Sequence, residues 1–397
     1  MLNIEKYADV MIFALKSARK GGKFKPGENI LLSFDYPALT LAEAIYQKLI
    51  EQGFNVVARP YLSESMAKSF YTKANTKQLK FCAPWDKVLN ENLNGLIALR
   101  APQNLANLKN VDAKNIALAT LARKEVRKIM DDREQKGLFS WTLANYPTEG
   151  LAKQAGLSLK EYEKQIASAC FLTEKDPAKK FAEVQKEIDE IAKRLSSLPI
   201  DTIRTQSESM DLEIKLGESR RFISGGGCNV PSFEIFTSPD FRGTRGTYFS
   251  DLMSFRNGNY VKDITLEFKA GRVIKAKAGT GEEFLKKMLA LDKGACQVGE
   301  YSLTDRRFSK INKFMADTLY DENFGGKYGN SHIAIGSSYI DTYSGNLAKM
   351  TKELKKKLGF NDSALHWDLV NTQDKLVSVK LKNGKHLTIY EKGRFLG

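Results

Sequence analysis

The chain has 397 residues, 42% of them hydrophobic and 27% charged, the make-up of an ordinary soluble globular protein too long for one core, so two domains are expected. Its 62 Lys+Arg against 47 Asp+Glu leave a net charge of +15, but the excess is spread out, and its one short run is Lys355–Lys357. Without an aromatic-interleaved basic motif this argues against nucleic-acid binding, and the lack of an apolar run near 18 residues argues against a membrane span.

The stretch Val10 to Leu15 follows Glu5 and Asp9 and lacks a small-residue cleavage site. It reads as an amphipathic helix rather than a signal peptide, and the expected location is the cytoplasm. Pro26-Gly27 predicts a turn, and Ile30 to Phe34 a buried strand. A helix from about Ala38 to Gln52 follows, closed by Gly53 where helices favour a left-handed residue. Asn55 to Ala58 is a second strand, and further apolar runs occur at Leu96–Leu99 and Ile116–Ala119. Such alternation predicts a mainly parallel sheet covered by helices. Ser158 and Glu161 form a capping box opening a helix through Ile166. Phe181, Val184, Ile188, Ile191 and Leu195 give the next helix one apolar face, and SSLP after it marks a linker. The expected domains are therefore 1–198 and 199–397. No G-x-G-x-x-G follows the first strand, so no dinucleotide site is expected.

Beyond the linker, Asp211–Leu216, Lys262–Phe268 and Val377–Leu381 alternate polar and apolar residues. Glycines at 225–227, 243, 246, 258 and 271 separate them, as in antiparallel hairpins. The expected architecture is an α/β N-terminal domain followed by an α+β C-terminal domain rich in antiparallel strands. Cys82, Cys170, Cys228 and Cys296 are far apart and form no C-x-x-C pair. They read as free, buried thiols of a reducing compartment.

Only three histidines are present, His332, His366 and His386. In H-W-D, His366 and Asp368 project from one face if the segment is a strand. Imidazole and carboxylate on one strand deliver two ligands to a divalent metal, although a solvent-facing pair fits the same pattern. His332 opens the apolar run to Gly336 and fits a core histidine as well as a ligand. His386, in KNGKHLTIY, reads as exposed and structural. Glu234 and Glu300 sit in apolar surroundings, where a carboxylate is costly unless a cation pairs with it. Each equally fits the solvent side of a half-exposed strand.

Taken together, these segments resemble the aminopeptidase T / aminopeptidase S / PepS family of thermophilic-type metalloaminopeptidases along nearly the whole chain. The similar segments in the first half are PGENILLSFDYPALTLAEAIYQKLIEQGFNVVAR and FSWTLANYPTEGLAKQAGLSLKEYEKQIASACF. In the second half they are NVPSFEIFTSPD, VGEYSL, DEN followed by SHIAIGSSY, and N-x-S-x-x-H-x-D. The resemblance implies metal ligands at Glu234, Glu300, His332, His366 and Asp368, with Glu300 also catalytic. It implies an active-site tyrosine at Tyr339, and at Glu322 a further ligand or a proton-handling group. Phe324 to Asn330 separate DEN from SH, an insertion expected to form a flap by the site. Five N/O ligands, three of them carboxylates, suit two divalent ions about 3.5–4 Å apart. Zinc or cobalt is expected, with manganese as a further candidate. The implied activity is removal of N-terminal residues from short peptides by a metal-activated water, in a cytoplasmic homodimer. The alternatives are a non-catalytic metal-binding protein on the same fold and, more remotely, a basic nucleic-acid binder. All five ligand positions hold ligating residue types, which counts against the first; no motif supports the second.

Overall fold

A computed structural model describes residues 2–397. Contacts divide the chain into two compact units. One runs to Phe181 and includes Gly226–Pro231; the other comprises Ala182–Gly225 and Ser232–Gly397.

The first unit is built on a five-stranded sheet. Its strands are β1 (Asn29–Phe34), β2 (Asn55–Pro60), β3 (Gly95–Arg100), β4 (Ser140–Asn145) and the short segment Asn229–Val230. The order is β2-β1-β3-β4 and then the short segment, and every pairing is parallel. The central strands are buried through Ile30, Leu31, Leu32, Phe34, Ile97 and Leu99, which is why β1 reads as a continuous apolar run. Helix α1 (Ile4–Ser17) starts at Asn3, whose side chain accepts from the Lys6 N–H, and buries Tyr7, Val10, Met11 and Leu15. Helix α2 (Leu39–Glu51) ends in a Schellman motif around Gly53, at φ 79°. There Gly53 N–H donates to the Ile50 carbonyl and Phe54 N–H to that of Leu49. The run Ile116–Ala119 does not add a strand; it lies within the helix Ala113–Ala122, capped by Asp112. An Ala- and Leu-rich sequence behind a capping aspartate favours helix over strand.

The helix Pro177–Ser197 carries the expected apolar face, with Phe181, Val184, Ile188 and Leu195 buried. SSLP ends it, and a strand begins at Ile200. The second unit holds an eight-stranded and a five-stranded sheet, both wholly antiparallel. The expected fold class is the one observed. Asp211–Lys215, Ile264–Lys269 and Leu376–Leu381 all belong to the larger sheet. The smaller sheet is ordered His366–Asn371, Asn330–Gly336, Val298–Thr304, Glu234–Thr237, Ile223–Ser224. Among the described residues no helix is long and apolar enough to cross a membrane. Among the described residues no cysteine forms a disulfide; Cys170 and Cys296 are buried, and Cys82 and Cys228 are half-buried.

Candidate metal centre

Register places the site on one face of the five-stranded sheet. Glu300 lies opposite Ala334, which lies opposite Asp368; His332 lies opposite both Ser302 and Val370. Glu234 pairs with Thr304, and Gly336 with His366. Directly paired residues share a face, so Glu234, Glu300, His332, His366 and Asp368 project to the same side from four adjacent strands. Ser302, Ala334 and Gly336 fill the positions between them. Their small size leaves room for the longer functional groups, a pattern that the sequence reading passed over.

The resulting distances are short. His332 Nε2 lies 3.3 Å from Glu300 Oε1 and 3.4 Å from Glu234 Oε2. His366 Nε2 lies 3.6 Å from Glu300 Oε2 and 3.4 Å from Asp368 Oδ1. Glu300 thus turns one oxygen towards each imidazole. His332 is 0% exposed, Glu300 3%, Glu234 7% and Glu322 8%.

Glu322 arrives from outside the sheet, directly after the one-turn helix Thr318–Asp321. Neighbouring Asn323 sets it: its Oδ1 accepts from Phe233 N–H (2.6 Å) and its Nδ2 donates to the Leu319 carbonyl (3.0 Å). This ties the DEN segment to the start of the Glu234 strand. The expected flap at 324–330 is not found, because polar contacts pin the segment down. The N–H groups of Gly325 and Gly326 both donate to the Ile311 carbonyl, and Asn330 Nδ2 donates to the carbonyls of Glu322 and Phe324. A Cβ at Gly329 would lie 2.1 Å from the Tyr390 hydroxyl, so only glycine fits that turn.

Tyr339 is half-exposed, its ring tilted against His366 at 4.7 Å and edge-on to Phe236 at 5.9 Å. Its backbone N–H is anchored on Ser238 Oγ at 2.8 Å. His386 remains apart, exposed on the strand His386–Glu391 and paired with Lys380.

Electrostatics follow from four carboxylates and two imidazoles packed out of water. Burial opposes charge on His332, yet its contacts with Glu234 and Glu300 outweigh that and raise its pKa well above the usual value. Burial likewise opposes charge on His366, but Asp368 and Glu300 raise it to about 9. Burial works to raise Asp368, and the charge and hydrogen bond of His366 override it, leaving about 2. Glu300 is raised, by burial first, with His332 opposing and the charge of Glu234 adding. Glu322 is raised well above the carboxylate range by burial and then by the charges of Glu234 and Asp368. Burial, then the charges of Glu300 and Asp368, lift the Tyr339 phenol.

The donor set fits divalent cations. His366 Nδ1–H donates to the Ser337 carbonyl at 2.9 Å, which directs Nε2 at two carboxylate oxygens. A lone pair facing lone pairs is tolerable only with a proton or a metal ion between them. Buried His332 Nδ1 has no hydrogen-bond partner among the described residues. Ligand atoms of Glu234, Glu300 and His332 lie within 4.8 Å of one another, as a metal site requires. Imidazole with carboxylate suits zinc, cobalt or manganese.

Three supporting residues carried no sequence signal strong enough to assign. Arg256 Nη1 donates to the His366 carbonyl at 2.9 Å, and its charge acts on Asp368. Asn361, the first residue of N-x-S-x-x-H-x-D, donates Nδ2 to the Gly336 and Gly294 carbonyls. Ser337 supplies the carbonyl that orients His366. Backbone acceptors and long-range donors of this kind leave no mark on residue spacing.

A family model described as thermophilic metalloprotease (M29) matches residues 2–395. The chain is 25% identical over 404 residues to aminopeptidase AmpS of Bacillus subtilis, covering 96% of this chain and 97% of that protein. It is 25% identical over 389 residues to aminopeptidase PepS of Streptococcus thermophilus, with coverage of 93% and 91%. Aminopeptidase T of Thermus thermophilus is 22% identical over 415 residues, with coverage of 99% and 98%. Among solved structures, wild-type AmpT from Thermus thermophilus matches with a TM-score of 0.80 at 21% identity, covering 100% of this chain and 99% of that one. That likeness establishes the fold.

Proposed function

The chain belongs to the thermophilic metalloprotease family (M29) and is a metal-dependent aminopeptidase acting on peptides; we propose that the cluster just described is its reaction centre. The observation that carries the proposal is Glu300, buried, with one carboxylate oxygen facing each of two histidines. In this reading Glu234, Glu300 and His332 would hold one divalent ion, and Glu300, His366 and Asp368 would hold a second. Bound zinc, cobalt or manganese ions supply a Lewis acid for the scissile carbonyl and lower the pKa of a water from 15.7 towards about 7.

The chain's own residues do the rest. Ser337 holds His366 in the tautomer whose Nε2 faces the carboxylates, and Arg256 anchors the same residue through its carbonyl. Glu322, buried beside the cluster, takes and returns a proton at a carboxyl oxygen. Tyr339, on the half-exposed side of His366, donates its hydroxyl to the substrate carbonyl oxygen as negative charge develops there. Such a donor contributes about 10²–10³ in rate. A cytoplasmic homodimer acting on short peptides completes the reading, supported by the resemblance of the whole chain to its relatives.

The test is an assay of metal-stripped protein with and without added zinc, cobalt or manganese, on aminoacyl chromogenic amides and their N-acetylated counterparts. Release from free-amine substrates only, restored by an ion, is the expected result. A folded protein that binds two ions yet cleaves nothing overturns the assignment in favour of a non-catalytic metal-binding role.

A further inference from the structure

Strand β2 ends the parallel sheet, and five of its six residues are exposed, so little of the chain covers it. Three bonds identify its inner side. Asn55 N–H donates to the Glu28 carbonyl, Tyr61 N–H to the Phe34 carbonyl, and the Gly53 carbonyl accepts from Gly27 N–H. Backbone groups alternate sides along a strand, so the N–H and C=O of Val56 and Ala58 face outwards, where no strand of the described residues pairs with them. Pro60, which has no N–H to offer, falls on the same outward side. Helix α2 adds a second feature to this edge. Lys48 bonds to Glu5 and Asp9 of α1 at 3.2 and 2.9 Å, which marks the flank of α2 that meets α1. At about 100° per residue, Leu39, Tyr46 and Ile50 lie on the opposite flank. They are 44%, 41% and 46% exposed. Since α1 packs on β3 and β4 and α2 on β1 and β2, that apolar flank overhangs the open edge.

We propose that two copies of the chain join along this edge, β2 pairing antiparallel with β2 of the second copy about a two-fold axis at Val57. In that register Val56 and Ala58 of each copy exchange N–H and C=O with Ala58 and Val56 of the other, and pairing stops at Pro60. Val57, 41% exposed, faces its own mate across the axis, at about 4.5 Å between Cα atoms. The axis stands perpendicular to the sheet, so both α2 helices lie on one face. Each packs on β1 and β2 and so sits half a strand spacing inside the edge. Strands about 4.8 Å apart then bring the two helices to about 10 Å, their ordinary packing distance, with Leu39, Tyr46 and Ile50 of each between them. A peptide strand would satisfy the edge and leave the apolar flank bare, and a lone helix would do the reverse. A second copy presents both in the same relation, because two-fold symmetry makes such a surface its own complement. The proposal rests on the homodimer of the preceding reading, gives it a surface, and asks nothing of the metal centre.

Sedimentation velocity of the full chain over a range of concentrations tests this in the wild type, Ala58→Pro and Tyr46→Lys. The first substitution removes an outward N–H and leaves the bonds to β1 in place; the second sets a charge in the apolar contact. The wild type is expected to be a dimer. Each variant is expected to raise the dissociation constant by about tenfold or more at near-wild-type Tm, Ala58→Pro through two hydrogen bonds lost across the axis. Val57→Cys reads the register directly. Mild oxidation should link its two copies on a non-reducing gel, since a disulfide spans Cα atoms about 4.4–6.8 Å apart. Ile274→Cys, exposed on a strand of the larger sheet, should give no such band. A monomeric wild type overturns the proposal together with the homodimer. A dimer that neither substitution loosens, and that yields no Val57→Cys cross-link, overturns this surface and leaves the homodimer standing.

Discussion

The parallel sheet of the first unit and the five-stranded sheet of the second use their buried positions in opposite ways. In β1 and β3 the interior is hydrocarbon on both faces, from Ile30, Leu31, Leu32, Ile97 and Leu99. In the second sheet one face is hydrocarbon, with Tyr301, Leu303, Ile333, Ile335 and Leu369 buried, while the other carries Glu234, Glu300, His332, His366 and Asp368. The first arrangement is stable in itself, because apolar burial contributes about 25 cal/mol per Å². The second gathers charges whose desolvation works against folding unless cations compensate them. A sheet that builds a metal centre therefore gives up part of its own stability, and its hydrocarbon face and its neighbours must supply it.

The sharpest test of that contrast is Glu300→Gln. Activity is expected to fall by about 10³-fold or more, since the carboxylate shared by both imidazoles loses its charge. The metal-stripped variant is expected to melt no lower than metal-stripped wild type, because one buried carboxylate has left a crowded acidic cluster. A large drop in that Tm would show that Glu300 stabilises the fold and would break the comparison. Next in size, Ile97→Ala in β3 empties a fully buried site and should cost about 2–5 kcal/mol. The loss, measured by denaturant unfolding, should be the same with and without zinc. A loss that depends on zinc would tie the apolar sheet to the metal centre.

The smallest effect concerns a buried cation outside the cluster. Lys375 is 2% exposed, its Nζ donates to the Gln373 carbonyl at 2.5 Å, and burial lowers its pKa to about 7. Below pH 7 it is charged in both folded and unfolded chains, and the desolvation penalty is full. Between about 7 and 10.5 the unfolded chain binds the extra proton, so stability rises with pH across that window. Lys375→Met is expected to stabilise the protein at pH 6 by a few kcal/mol, roughly 5 before the lost hydrogen bond is deducted. The gain should shrink as pH approaches 10.5. A gain independent of pH would mean that Lys375 is not held in a low-dielectric site.

Periodicity was enough to read the parallel sheet, the helix Pro177–Ser197 and the antiparallel half, because burial on one or both faces leaves a repeating mark on the chain. It failed for Ile116–Ala119, where a short apolar run has no period of its own and Asp112 decided for helix. The expected flap at 324–330 failed for a different reason. Glycine and lysine there look mobile in sequence, while the donors and acceptors that pin them, Ile311 and Asn330, act through the tertiary fold. Each of the five proposed ligands was visible as a residue type in an unusual setting. Arg256, Asn361 and Ser337 were not assigned, because a side chain that grips a distant carbonyl, or a backbone carbonyl that is gripped, has no characteristic neighbours in sequence.

What the sequence by itself determined was the inventory: which residues can ligate and in which apolar runs they lie, with the buried or solvent-facing side of each left open. That follows from local rules, the two-residue alternation of strands and the burial of apolar faces. Only the tertiary structure decided that four strands from separate parts of the second unit align in register, with Ala334 between Glu300 and Asp368. It also decided that Asn323 swings Glu322 in beside Glu234. Register is a property of pairs of strands, and the burial that shifts each pKa is a property of everything packed around them. Neither quantity exists until the chain has closed on itself.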